Sequence, residues 1–254
     1  MSKQFEKSSF YARLKSMLKV DFKRMFTMPL VYIMSGICLV IPVLILVMTS
    51  KLGSEEGAAF TDVWQAIGSV GGAGASLDIT GMCNINLVYF LIAIFACVFV
   101  ADDFKSGYAK NIFAVRPKKT DYVISKTLVC FSGGVIMISA YFIGALLGGA
   151  IGGLSFETEG YGAGNITACL ISKMFSVAIF ASIALLLGVV AKQRLWLSIL
   201  ASLAAGMLLF TMLPMTSPID SNFINIIMCL VGGAFFGFGL GAVSCVILNK
   251  TNLV

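Results

Sequence analysis

Residues 127–156 read TLVCFSGGVIMISAYFIGALLGGAIGGLSF, thirty positions without one Asp, Glu, Lys or Arg. A hydrocarbon core about 30 Å thick is crossed by roughly 20 apolar residues in a helix, so this stretch alone reads as a membrane span. Outward from it, residues 25–50, 79–101, 174–191, 195–219 and 221–249 are equally free of charge. Each is long enough to span. The whole chain of 254 residues is 59% hydrophobic and 12% charged, with a mean hydropathy of +0.97, too few charges to cover a water-soluble surface of this size. The expected fold is an all-α membrane protein of six transmembrane helices. It divides into an N-terminal segment 1–29, a six-helix domain 30–249 and a tail 250–254.

The basic residues orient these spans. Sixteen of the 18 Lys and Arg fall in the N-terminal segment, the second and fourth connections and the tail, and only Lys51 and Lys173 lie near the other side. This asymmetry places both termini in the cytoplasm, in a multi-pass protein of the plasma membrane. With the acids included, the inner side carries +11 and the outer side −5. The net charge of +6 is thus a difference between two faces and gives no reason to invoke nucleic acid. Before the first span, Phe10, Leu14, Met17, Leu18 and Met25 recur at helical spacing, with Tyr11, Phe22 and Phe26 beside them. Arg13, Lys19, Lys23 and Arg24 are expected on the opposite side, which describes an amphipathic interfacial helix on the inner leaflet. Its long charged region and the full-length span behind it do not read as a cleaved signal peptide.

Several chemistries are excluded. The chain has no histidine, which removes imidazole bases and the HExxH metal site. Its seven cysteines show no CxxC spacing, and most lie within apolar stretches as small hydrophobes; Cys83 and Cys169, near outer helix ends, are the pair close enough in topology to consider a bridge. No Walker A sequence occurs, and Ser132-Gly133-Gly134 lies inside a span as a packing site. With no paired intramembrane carboxylates and no metal-ligand cluster, the chain is expected to be non-catalytic and to hold no cofactor. The charge-free spans also lack the ionisable groups by which ion-coupled carriers work. Lys173 is the nearest case, either snorkelling outward from a helix end or facing a cavity. Asn86, Ser139 and Ser176 are the other polar candidates for such a cavity, sparse and uncharged in a way that suits an amphipathic or hydrophobic cargo.

Small residues recur four apart: Gly144, Gly148 and Gly152 in the third span, Gly149 and Gly153 beside them, and Gly233, Gly237 and Gly241 in the sixth. Such faces let helix backbones approach closely, within the chain or across a dimer. The first outer connection, about 51–82, is rich in glycine, and its uncharged part 63–77 is too short to span and reads as re-entrant or surface-lying. The third outer connection is acidic, with Glu157 and Glu159, and the fifth holds Pro214 and Pro218 in a short hairpin or broken helix.

The second connection reads ADDFKSGYAKNIFAVRPKKTDYVISK from Ala101 to Lys126. Acidic residues stand just past a span, a Ser-Gly follows, then a short helical stretch with Tyr108, Ile112 and Phe113 on one side, an Arg-Pro break, and an aromatic-to-Ser-Lys start of the third span. This pattern, with the basic helix, six spans and long first outer loop, resembles the permease subunits of ABC-2 type exporters. It departs from them at Asp102 and Asp103, where the family usually has Glu, at Ser106-Gly107, where it has Gly-Thr, and at Arg116-Pro117, where proline leads. The resemblance implies a coupling helix at about 104–114, entered by Phe104, Ser106 and Gly107 and carrying Tyr108, Ile112 and Phe113, with Asp103, Arg116 and Lys126 as its charged surroundings. It would dock on a separate ATPase subunit that binds ATP and Mg.

The implied assembly is two copies of this chain, each with an ATPase, moving amphipathic or antimicrobial-type peptides out of the cell, nearest the small permeases for phenol-soluble modulins or lantibiotics. Two other readings of the residues stand beside it: an ATPase-independent channel or facilitator, and a membrane immunity protein that sequesters a peptide.

Overall fold

The computed structural model describes residues 10–52, 60, 62–67, 84–115, 118–157, 162–192, 194–210 and 216–250. Most of the segment 63–77, Cys83, Arg116 and the tail beyond Lys250 lie outside the described residues. Helix α1 is Phe10–Thr27, and α2, Pro29–Leu52, follows at once, started by a proline whose missing N–H costs nothing at a first helical position. A short α3, Trp64–Ile67, precedes a 3₁₀ turn, Ile85–Leu87, capped by Asn84, whose side chain accepts from the Asn86 N–H at 2.9 Å. That turn runs into α4, Val88–Lys105. Then come α5, Tyr108–Val115; α6, Lys119–Gly152; α7, Ala163–Ala191; α8, Leu195–Phe210; and α9, Phe223–Lys250. Among the described residues no strand forms, although an isolated parallel bridge joins Asp62 to Ser155.

The chain is a multi-pass, all-helical membrane protein: among the described residues five helices, α2, α4, α6, α7 and α9, are long and apolar enough to cross a bilayer. The expected fifth span, at 195–219, has a different form. Its helix α8 has 16 residues, a rise of about 24 Å against a core of about 30 Å. Beyond it the chain turns at Pro218, whose carbonyl accepts from the Ser221 N–H at 3.2 Å. Freedom from charge therefore extends beyond α8 to the turn at Pro218, because an apolar turn is as free of charge as an apolar helix.

Helix α4 is the centre. In its most apolar window 67% of residues are buried, against 22% in α2 and 17% in α9, which lie at the periphery. Its buried residues point all round the helix, the pattern of an element enclosed by others. The outer helices instead present Tyr32, Leu44 and Met48 from α2 and Phe235 and Phe238 from α9 to the surroundings, a surface suited to lipid.

Glycines set the tightest contact. A Cβ on Gly144 would lie 2.2 Å from the Leu39 carbonyl oxygen, one on Gly148 2.8 Å from Val43 Cα, and one on Gly152 2.8 Å from Ser50 Oγ. The α6 glycine face is thus spent on the backbone of α2 in the same chain. Gly149 in turn admits Val63, whose N–H donates to the Ser155 carbonyl at 3.2 Å. Gly144→Ala is expected to destabilise the fold by about 1–3 kcal/mol through overpacking, whereas Gly36→Ala in α2, which meets nothing within 4 Å, stays neutral or gains. Thermal unfolding in detergent separates the two.

Candidate functional site

Lys126 lies one face inward near the start of α6, and its side chain is completely buried. An ammonium held away from water needs opposite charge and hydrogen bonds, or its burial costs several kcal/mol. Two carboxylates supply them: Nζ lies 2.9 Å from Asp21 Oδ1 of α1 and 2.7 Å from Asp103 Oδ2 of α4, both also fully buried. The remaining carboxylate valences are filled by donors. Ser125 Oγ donates to Asp21 Oδ2 at 2.6 Å, Tyr122 OH to Asp103 Oδ2 at 2.7 Å, and Arg24 to Asp103 Oδ1 at 2.5 Å and to the half-exposed Asp102 at 2.9 Å. The buried core of this cluster balances two acids against two bases. Aromatic faces close it: Lys126 Nζ stands 4.2 Å from the Phe99 ring centre and Arg24 Cζ 4.0 Å from that of Tyr108.

The titration of the flanking groups follows from this setting. Burial tends to lower the Arg24 pKa, but Asp103, Tyr108 and Asp102 together more than offset it and hold the guanidinium above its ordinary value. Burial and then the Asp21 charge push the Tyr108 hydroxyl up to about 12, so it stays protonated and faces Asp21 Oδ1 at 3.4 Å as a donor. A second tie, Arg13 to Asp121 at 3.0 Å, fixes the other end of α1 to the start of α6.

These ties revise the reading of α1. Arg13 and Arg24 do not project away from the protein; they flank its buried stripe Met17, Asp21 and Met25 and reach inward to acids. Lys19 and Lys23 remain exposed on the far side.

The start of the connection between α4 and α6 is fixed by hydrogen bonds. Ser106 Oγ and its N–H both donate to the Asp102 carbonyl, at 2.7 and 2.9 Å, ending α4. Gly107 turns the chain at φ +73°, a left-handed conformation that glycine adopts without strain, and its carbonyl accepts from Asn111 to start α5. Of the residues expected to meet a partner, Phe104 is buried, and Ile112 and Phe113 pack inward on Met17, Val100, Tyr122, Val123 and Leu248. Phe113 meets Tyr122 edge-on at 5.2 Å. Asp103 and Lys126 are sealed inside and cannot touch a second protein, and Arg116 lies outside the described residues. What α5 leaves open is the side carrying Lys105, Ser106, Lys110, Asn111 and Ala114.

The polar candidates for a cavity separate into two places. Lys173 is fully buried about 15 Å along α7, which rules out outward snorkelling. Its Nζ donates to Asn86 Oδ1 at 3.0 Å and to Ser217 Oγ at 3.3 Å, and the Tyr89 hydroxyl donates to its carbonyl at 2.8 Å. Ser176 is buried one turn away. Ser139 is elsewhere, on α6, bonded back to the Val135 carbonyl at 2.8 Å. Cys169 is free and Cys83 lies outside the described residues. In the sixth-span set, Gly233 lies close to α7, 3.0 Å from the Phe175 carbonyl oxygen by its Cβ position, whereas Gly237 and Gly241 have room.

The cluster's key acid, Asp21, was legible in one respect that the sequence reading passed over: it is the only acid in α1 and stands at i+4 from Met17 and i−4 from Met25, inside the apolar stripe. Tyr122 and Ser125 were visible only as the aromatic-to-Ser-Lys start of the third span, with nothing to say that they would hold acids of other helices. No protein-family model, curated protein or solved structure matches this chain.

Two lysine substitutions should differ sharply. Lys126→Met strands two buried carboxylates and is expected to destabilise the protein by about 3–5 kcal/mol. Lys173→Met strands only neutral acceptors, at a cost of about 1–3 kcal/mol. Denaturant or thermal unfolding of both variants, with Asp21→Asn/Lys126→Met expected to recover part of the loss, checks the assignment.

Proposed function

We propose that this chain is the membrane-spanning permease subunit of an ATP-driven exporter of the ABC-2 type, bound through α5 to a separate ATPase and paired with a second copy of itself. The observation that carries the reading is α5 itself. It is an eight-residue helix between two spans, bound on its apolar side to α1, α4, α6 and α9 and open on the side of Lys105, Lys110 and Asn111. Force applied to such an element passes into the spans, because the ionic cluster leaves it no freedom to move alone. The basic face to which α5 belongs is the cytoplasmic one by the distribution of Lys and Arg, where ATP is found. The cargo is an amphipathic peptide or another hydrophobic molecule, in keeping with spans whose polar groups away from the basic face are few and, Lys173 apart, uncharged.

The experiment is purification of the tagged chain from its native membranes and assay of ATP hydrolysis. A co-purifying ATPase with a Walker A sequence is expected, and Lys110→Glu with Asn111→Glu, both on the open side of α5, should remove it and its activity without altering the unfolding temperature. Retention of the ATPase by that double variant would refute docking through α5. Cargo flux through the isolated chain in liposomes without nucleotide would refute the exporter reading in favour of a facilitator.

A further inference from the structure

An apolar groove of about 490 Å³ lies between α6, α7 and α9, bordered by Val123, Phe131, Phe175, Phe238 and the two loosely packed glycines Gly237 and Gly241. It runs from Thr120 to Phe131 along α6, about 16 Å, and from Leu230 to Cys245 along α9, about 22 Å. That is close to one leaflet, about 15 Å of hydrocarbon. Its lining is almost wholly apolar over that length, which suits a hydrocarbon chain.

The two ends differ. The lining runs from Phe131, Phe175 and Leu230 at one end to Thr120 and Cys245 at the other, which lies on the basic face. There Lys118 is exposed, Lys119 donates through Nζ to the Leu248 carbonyl, and exposed Lys250 ends α9. Lys119 Nζ also stands 5.7 Å from the Phe113 ring centre, so the charge is held in place beside that end. A greasy slot one leaflet deep under fixed positive charge is complementary to one kind of molecule. We infer that the groove binds an acyl chain of an anionic phospholipid from the leaflet at the basic face, with its headgroup held by Lys118, Lys119 and Lys250.

The glycines make a clean test possible. A Cβ on Gly237 would come no nearer than 3.8 Å to Ser182 Oγ, and one on Gly241 no nearer than 3.6 Å to Val123, so a larger side chain enters the groove without forcing helices apart. The full chain is placed in phosphatidylcholine vesicles containing a few per cent of phosphatidylglycerol bearing a photoreactive acyl chain, or the matching phosphatidylcholine. Labelled peptides are then mapped. The phosphatidylglycerol is expected to label groove residues of α6 and α9 in preference to the phosphatidylcholine. Gly237→Leu should reduce that labelling to background, and Lys118→Gln with Lys119→Gln should abolish the preference while the chain still elutes as one species.

Equal labelling by the two lipids, or labelling that survives Gly237→Leu in a folded variant, would overturn the inference. So would an unlabelled groove with Gly237→Leu changing the oligomeric state, which would assign the groove to a second copy. Should Gly237→Leu fail to fold, the lysine variant decides alone. No ATPase takes part, so the outcome is independent of the exporter reading.

Discussion

The fold at the basic face depends on one buried ammonium. Lys126 is tolerated at zero exposure because Asp21 and Asp103 reach it from two other helices, and each of those acids is held by further donors. An interfacial helix held only by its amphipathic character can lie anywhere on a leaflet, since lipid offers no fixed partner. Here α1 cannot, because moving it takes Asp21 from Lys126 and Arg24 from Asp103 and leaves both buried ions short of partners. The same acids draw in Arg24, Arg24 stacks on Tyr108, and Tyr108 begins α5. Electrostatic demand thus propagates from a single residue through α1, α4 and α5 to α6. The apolar cluster of Met17, Phe104, Tyr122 and Leu248 then packs beneath a framework already set.

The fold was legible where the physics is local. Charge-free length finds spans because the cost of charge in hydrocarbon applies residue by residue. The four-residue glycine spacing marks close helix faces, and the α6 set does meet a neighbouring backbone. The limit shows at 195–219, where the same absence of charge covers α8 and the turn at Pro218. Hydropathy measures the surroundings a segment will accept, and an apolar turn satisfies it as well as a helix does.

The site was harder to read because it is made of long-range pairings. Asp103 and Lys126 look, in a linear chain, like the flanks of an exposed basic loop; only the approach of α1 turns them into a buried pair. The amphipathic side of α5 posed a related ambiguity. Tyr108, Ile112 and Phe113 announce that one side needs an apolar neighbour, without saying whose. The neighbour is the chain itself, which leaves the less conspicuous Lys110 and Asn111 as the residues another molecule can reach.

Lys126 and Lys173 are both buried, yet they are held in different ways at opposite ends of α4. Asn86 and Asp103, their respective partners, stand about 26 Å apart along that helix and its leading turn. Lys126 has two carboxylates, and separating it from them exposes full charges to a poor solvent. Lys173 has an amide oxygen and a hydroxyl, one from the approach to α4 and one from the turn before α9. Neutral acceptors of this kind are lost at far lower cost. If α5 is pushed, as the exporter reading requires, the basic end moves as one body and the strain must be relieved where ties are weakest. That place is the junction of α4, α7 and the 216–221 turn around Lys173. Under that reading, a chain clamped by charge at one end and by neutral hydrogen bonds at the other opens first at the second.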